Sequence, residues 1–312
     1  MSVRVLVAGD ANLDLVLQGD VRPRFGQAEQ LLTDANLVLG SSAGICASGL
    51  ARLGVQVGLV ARVGEDLFGT HTRRLLAERG VDVTELGTTP APTGVSVILS
   101  AATDRSILTL PGAMAELGVD AVRTALARSG STHLHVASFF LVPAFARDLP
   151  GLLADVRASG VTISLDPNWD PQEEWSGVAE CLPYVDVLMP NAAEAVELAG
   201  VAGGTPIPDA VSAARVLASR GPVVAVKDGA SGGFVVAAEE LLRAPGLTVD
   251  VVDTTGAGDS FDAGFLAAWL EGRGPAESLA WAVAAGSLST TGAGGTGRQA
   301  TRDELLAALG RP

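Results

Sequence analysis

The stretch D-T-T-G-A-G-D-S-F-D-A-G-F, residues 253–265, decides how this chain is read. Two glycines, Gly256 and Gly258, lead directly into an acid, Asp259, and an apolar run follows. Ser260, Phe261, Phe265, Leu266, Trp269 and Leu270 recur at helical spacing, which puts Asp259 in the first turn of a helix. Unpaired backbone amides and the positive end of the helix dipole converge at such a start and suit a phosphoryl group. A carboxylate placed there is expected to stay ionised at neutral pH and to take a proton from an attacking hydroxyl. That combination is what a small-molecule kinase needs. No G-K-[ST] follows the glycines, so the loop is not a Walker A motif.

These thirteen residues resemble the C-terminal signature of the ribokinase-like, or phosphofructokinase-B, family of carbohydrate and nucleoside kinases. The resemblance implies that Asp259 is the catalytic base and that the amides of Gly256, Ala257 and Gly258 form an anion hole for the transferred phosphate. It implies ATP as donor, with magnesium. Asp253 and Thr255 resemble positions that hold an activating monovalent cation such as potassium, although Asp253 could equally tie the turn together.

Further segments extend the likeness over nearly the whole chain. G-D-A-N-L-D (9–14) follows a buried strand, and in a parallel α/β sheet ligands gather beyond strand ends. Read alone, Asn12 and Asp14 are ordinary turn residues; by the resemblance they grip substrate hydroxyls. L-G-S-S-A-G-I-C-A-S-G-L-A-R-L-G (39–54) resembles the family's N-terminal glycine motif, with Gly40, Ser41 and Ser42 near the substrate. Ser41 stands where the family's second glycine is expected. Ser42 and Ile45 replace the Lys and Asn with which ribokinases contact sugar, which argues against ribose as the acceptor. Asp66 in V-G-E-D-L-F-G (63–69) suits a helix N-cap as well as a contact.

D-P-N-W-D-P (166–171) ends a strand, where Asp166 and Asn168 can reach phosphates or metal waters, or simply shape a Pro-rich turn. P-N-A-A-E (190–194) reads as a capping box, while the resemblance gives Asn191 to phosphate and Glu194 to magnesium. V-K-D-G-A-S-G-G (226–233) resembles the nucleotide loop, placing Lys227, Asp228, Gly229, Ala230, Ser231 and Gly232 beside ATP. Lys227 is the only lysine, which a GC-rich coding bias explains.

The chain has 312 residues, 48% apolar, with 38 glycines, enough to bury a large α/β core with many short turns. Strands and helices of ten or more residues alternate from Leu117 onward, implying a mostly parallel sheet covered on both faces. Extra extended segments, about 12–36 and 93–110, break that rhythm. By the resemblance they form a small β lid on one kinase domain spanning 1–312, the three-layer ribokinase-like sandwich, with the lid as a homodimer interface.

A formal charge of −14 without a basic stripe argues against nucleic acid as a partner. No apolar run reaches a membrane span, and Met1–Asp10 opens like a strand rather than a signal peptide. Cys46 and Cys181 lie far apart and are expected to be reduced, in a cytoplasmic enzyme. His133 and His135 share a strand face but lack a third ligand nearby, which argues against a metal site there. The expected reaction is phosphoryl transfer from ATP to a hydroxyl of a small sugar. A nucleoside acceptor, with Ile45, Phe139 and Phe140 lining an apolar pocket, is the alternative; a non-catalytic sugar-binding regulator would have no use for Asp259.

Overall fold

A computed structural model describes residues 4–101 and 105–310; Val3 of the opening strand and 102–104 of the expected second lid segment lie outside it. Thirteen strands are assigned among the described residues. They are β1 (Val5–Ala8), β2 (Asn12–Gly19), β3 (Leu32–Leu39), β4 (Val57–Gly64), β5 (Leu86–Thr89), β6 (Gly94–Ser100), β7 (Arg105–Leu110), β8 (His133–Val136), β9 (Thr162–Leu165), β10 (Val187–Leu188), β11 (Val223–Lys227), β12 (Gly233–Ala237) and β13 (Glu240–Ala244). Nine form one sheet in the order β13-β12-β11-β10-β9-β8-β1-β4-β5. It is parallel except for the β11–β12–β13 meander at one edge.

The helices are α1 (Ser42–Arg52), α2 (Leu67–Glu78), α3 (Val119–Ser129), α4 (Pro143–Ala158), α5 (Val178–Cys181), α6 (Ala192–Gly203), α7 (Ala210–Ala218), α8 (Ala257–Trp269), α9 (Pro275–Ser289) and α10 (Arg302–Ala308). Alternation along β1 divides them into two layers. Val5 and Val7 point to a core with Leu50, Leu76, Phe265 and Trp281. Leu6 and Ala8 point to the opposite core, with Val122, Phe145, Leu152 and Leu217. Each fully buried large side chain stabilises the sandwich by about 1.5–3 kcal/mol.

β3, β2, β6 and β7 make a second, four-stranded sheet. β2 pairs parallel with β6, the two joined through intervening sandwich elements, while β2–β3 and β6–β7 are antiparallel. Asp14, Val16, Ser96 and Ile98 are buried on one side of it, whereas Leu15, Leu17, Val97 and Leu99 on the other are only half-buried. The capping expected at Asp66 is present. Its carboxylate accepts from the Gly69 amide at 2.7 Å, starting α2, and from the Thr93 amide at 2.8 Å, anchoring the approach to β6. His133 and His135 are fully buried against Thr162 and Ser164 hydroxyls, and burial pushes their rings down to about 3 and about 4. They are neutral core residues.

Candidate active site

Asp259 lies in the first turn of α8, 9% exposed. The turn before it works only with glycine. Gly256 caps the helix with φ 70°, and a Cβ there would stand 2.6 Å from Gly295 Cα and 3.0 Å from Ile45 Cγ2. A Cβ on Gly295 would likewise fall 2.4 Å from Ile45 Cδ1, so the glycine-rich turn 292–297 packs beside the anion hole. The Ala257 amide donates within the turn to Thr254 O at 3.2 Å. Among the described residues, the Gly256 and Gly258 amides have no protein acceptor. The hole expected from three amides therefore has two uncommitted ones.

The electrostatics depart from expectation. Burial first, then the charge of Asp166, pushes the Asp259 carboxyl well above the usual range, while Lys227 pulls it down. Helix amides and dipole alone argued for an ionised group; desolvation and a crowd of acids outweigh them. One oxygen from each of Asp166, Asp259 and Asp262 lies within 4.8 Å of the others. Glu194, 5% exposed, is pushed up to about 7 by burial and by Asp166.

Lys227 holds this cluster together. It ends β11, and its ammonium donates to Asp166 Oδ2 at 2.9 Å and Asp262 Oδ2 at 3.2 Å, both partners 1% exposed. Its stem runs beside the anion hole: a Cβ on Gly258 would lie 3.3 Å from Lys227 Cδ. The side chain expected beside a nucleotide is thus committed to buried ion pairs, and coding bias does not account for its placement. The rest of that loop, Asp228 to Gly232, turns through a 3-10 segment at Gly229–Ser231 and is largely exposed, with Gly232 at φ 91°.

Asn191 and Glu194 form the full capping box of α6: Asn191 Oδ1 accepts from the Ala193 and Glu194 amides, each at 2.9 Å, and Glu194 Oε2 from the Asn191 amide at 2.8 Å. One Glu194 oxygen remains outside the box. Asp253 shows the tying role: Oδ1 accepts from the Thr255 amide at 2.9 Å and hydroxyl at 2.7 Å, and Oδ2 from the Gly294 amide at 2.8 Å.

Across the cleft, Asn12 and Asp14 lie on β2 itself rather than in a turn after β1. Asn12 Nδ2 donates to Ser96 Oγ at 3.0 Å, and its buried Oδ1 has no partner among the described residues. Burial and the charge of Asp10 push Asp14 up to about 7. Gly40 is required by Asp14, since a Cβ there would fall 2.1 Å from Oδ1. Ser41 stands in glycine's place at φ 67° and caps α1, its hydroxyl accepting from the Gly44 amide at 2.9 Å. Ser42 Oγ accepts from Asn168 Nδ2 at 2.9 Å, and its hydroxyl lies near enough to Asp259 to favour the charged form of that carboxyl. Asn168 Oδ1 in turn accepts from the Ser138 amide at 2.6 Å.

Three acids and amides thus escaped the sequence reading or were underrated. Asp10 accepts from the Ala43 amide at 3.0 Å and braces the start of α1. Asn168 links Ser42 to β8's exit. Asp262 follows Asp259 by three residues on one helix, and that spacing was the available signal.

A mostly parallel α/β sandwich with a buried acid at a glycine-capped helix start, and a polar strand on a second sheet that reaches it, is an arrangement suited to phosphotransfer onto small hydroxyl compounds. The sequence matches the family described as pfkB family carbohydrate kinase over residues 5–302, and the chain belongs to that family. It is 32% identical over 320 residues to the ATP-dependent ribose-1-phosphate kinase of Halopiger xanaduensis, covering 98% of each chain. It is 30% identical over 311 residues to the ribokinase of Haemophilus influenzae, again 98% of each. The solved ribokinase of Thermotoga maritima superposes with a TM-score of 0.83 at 26% identity, covering 99% of this chain and 100% of that one. The fold is ribokinase-like, and the protein is a carbohydrate kinase by family. No helix among the described residues is long and apolar enough to cross a membrane.

Proposed function

We propose that the protein transfers the γ-phosphoryl group of ATP to a hydroxyl of a small sugar. The observation that carries this reading is Asp259 beside the uncommitted Gly256 and Gly258 amides, with the sheet that bears Asn12 and Asp14 reaching the α8 start through the Arg105–Thr255 hydrogen bond. Asp14 accepts from the acceptor's hydroxyls, and the Asn12 Oδ1 left without a partner takes another. Asp259 removes the proton of the attacking hydroxyl, whose oxygen bonds to the γ-phosphorus as the bond to the β-phosphate breaks, releasing ADP. The two amides hold phosphoryl oxygens.

Magnesium fits the donor set, because Asp166, Asp259, Asp262 and Glu194 share only one ammonium. Asp166 and the free oxygen of Glu194 would hold it through water, with Asn191 toward phosphate, and its charge would neutralise phosphate oxygens and favour ionised Asp259. A potassium ion at Asp253 and Thr255 rests on the resemblance, as does the 228–232 loop as nucleotide contact. Relatives act on ribose and ribose 1-phosphate by name; by the resemblance, Ser42 and Ile45 stand where ribokinases contact sugar, which counts against ribose itself. The nucleoside pocket loses its basis, since Ile45 packs on Gly256 and Gly295 while Phe139 belongs to the opposite core and meets Phe140 edge-on at 5.0 Å.

The test is nucleotide consumption with magnesium across neutral sugars, sugar phosphates, sugar acids and nucleosides, with Asp259→Asn in parallel. The variant should fold, bind ATP, and lose about 10²–10⁴ in turnover. Wild-type turnover in Asp259→Asn would remove the base assignment.

A further inference from the structure

The lid sheet has one side toward the sandwich. Register sets Asp14 beside Ser96 and Ser96 beside Thr109, and Arg105 precedes Thr109 by four residues along β7, on that same side. Arg105 bridges the cleft: its Nη1 donates to Thr255 Oγ1 at 3.0 Å. Thr255 immediately precedes Gly256, the cap of α8 and the rim of the anion hole. The guanidinium is close enough to Asp14 and to Asp253 for its charge to favour the ionised form of both.

The transferred phosphoryl group enters a cleft rich in carboxylates, at Asp10, Asp14, Asp166, Asp259 and Asp262. Lys227 does not serve it, because Asp166 and Asp262 hold its ammonium at 2.9 and 3.2 Å. Arg105 arrives from the lid beside the hole itself. A guanidinium presents a planar fork that matches phosphoryl oxygens and keeps its charge at any working pH. An anion carried on the acceptor would be a different target for it, but the contact at Thr255 places the cation at the transfer end.

We propose that Arg105 is a further catalytic residue, which contacts the γ-phosphoryl group of a nucleoside triphosphate when the lid is closed. Its part is to stabilise charge on the phosphoryl oxygens while the acceptor oxygen displaces ADP and Asp259 takes the acceptor's proton. Closure and transfer are thereby coupled, since an open lid withdraws the cation from the hole. The inference rests on the ATP-dependent reading above.

Arg105 is exposed on an edge strand, so Arg105→Gln and Arg105→Lys should fold in the full chain. Two measurements decide, both with magnesium: initial rates with the acceptor that wild type uses, and calorimetric binding of β,γ-imido-ATP and of ADP. Arg105→Gln should lower kcat about 10²-fold with the acceptor KM unchanged, and weaken the ATP analogue about tenfold while leaving ADP alone. Arg105→Lys should recover part of both losses. Unchanged kcat, equal weakening of analogue and ADP, or a rise confined to the acceptor KM would each overturn the proposal, the last making Arg105 a reader of acceptor charge. Should wild type turn over no acceptor, the kinase reading fails on its own, and the analogue-against-ADP comparison still decides for Arg105.

Discussion

At the residue scale, the single lysine does what its neighbours in sequence give no hint of. Lys227 lies within one charge cluster with Asp166, Asp259, Asp262 and Glu194, and its ammonium favours the ionised form of each of them. Removing one member of a buried pair leaves the others desolvated and unpaired, which costs about 3–5 kcal/mol. Lys227→Met should therefore lower the urea midpoint sharply, and Lys227→Met/Asp262→Asn should recover part of the loss; a single variant as stable as wild type would contradict the network.

Asp14 gives a pH dependence of unusual sign. Its carboxyl is raised from 3.8 to about 7 in the fold. The folded state thus binds this proton more tightly than the unfolded chain does. The stabilisation is fully present below about pH 4 and is lost as pH rises through about 7. Urea titrations at pH 5 and pH 8 should show wild type losing more stability over that interval than Asp14→Asn, and parallel losses would contradict the raised value.

At the element scale, α8 is buried along its length, from Asp259 to Ala268. Its apolar residues meet the sheet on one side and α9 on another, and small residues set the spacing. A Cβ on Gly264 would fall 2.6 Å from the Trp281 carbonyl oxygen, and one on Gly49 of α1 2.7 Å from Ala263 Cβ. Gly264→Ala must push α9 away at a cost of about 1–3 kcal/mol, readable by denaturation, and should lower turnover because Asp259 starts the displaced helix. The helical spacing of 260–270 was plain in sequence, as were the caps at Asp66 and Asn191. Ser41 was legible only as a misfit to a glycine; its positive φ explains the family's preference at that place. That β2 itself carries Asn12 and Asp14 was not legible, because its pairing partner β6 lies some eighty residues on and local pattern cannot announce it.

At the scale of the molecule, the outer side of the lid bears on assembly. Leu37, Leu108 and Leu110 are 39%, 59% and 50% exposed, and Leu15 and Val97 join them in one apolar face. Such a face on an otherwise acidic protein suits a second copy of itself, the homodimer through the lid expected from the resemblance. Leu108→Glu should convert a dimer to monomers in sedimentation while leaving the sandwich folded; a wild-type monomer at micromolar concentration would end that expectation.

The sequence by itself determined the parallel sandwich, the helix start at Asp259 and the family of the chain. Those follow from short-range periodicity and from glycines whose spacing serves one local geometry. Only the tertiary structure decided the charge state of the site and the cation each part of it meets. Lys227 reaches Asp166 across 61 residues and Arg105 reaches Thr255 across 150. Burial and such distant pairings set the electrostatics, and neither is a property of any segment taken alone.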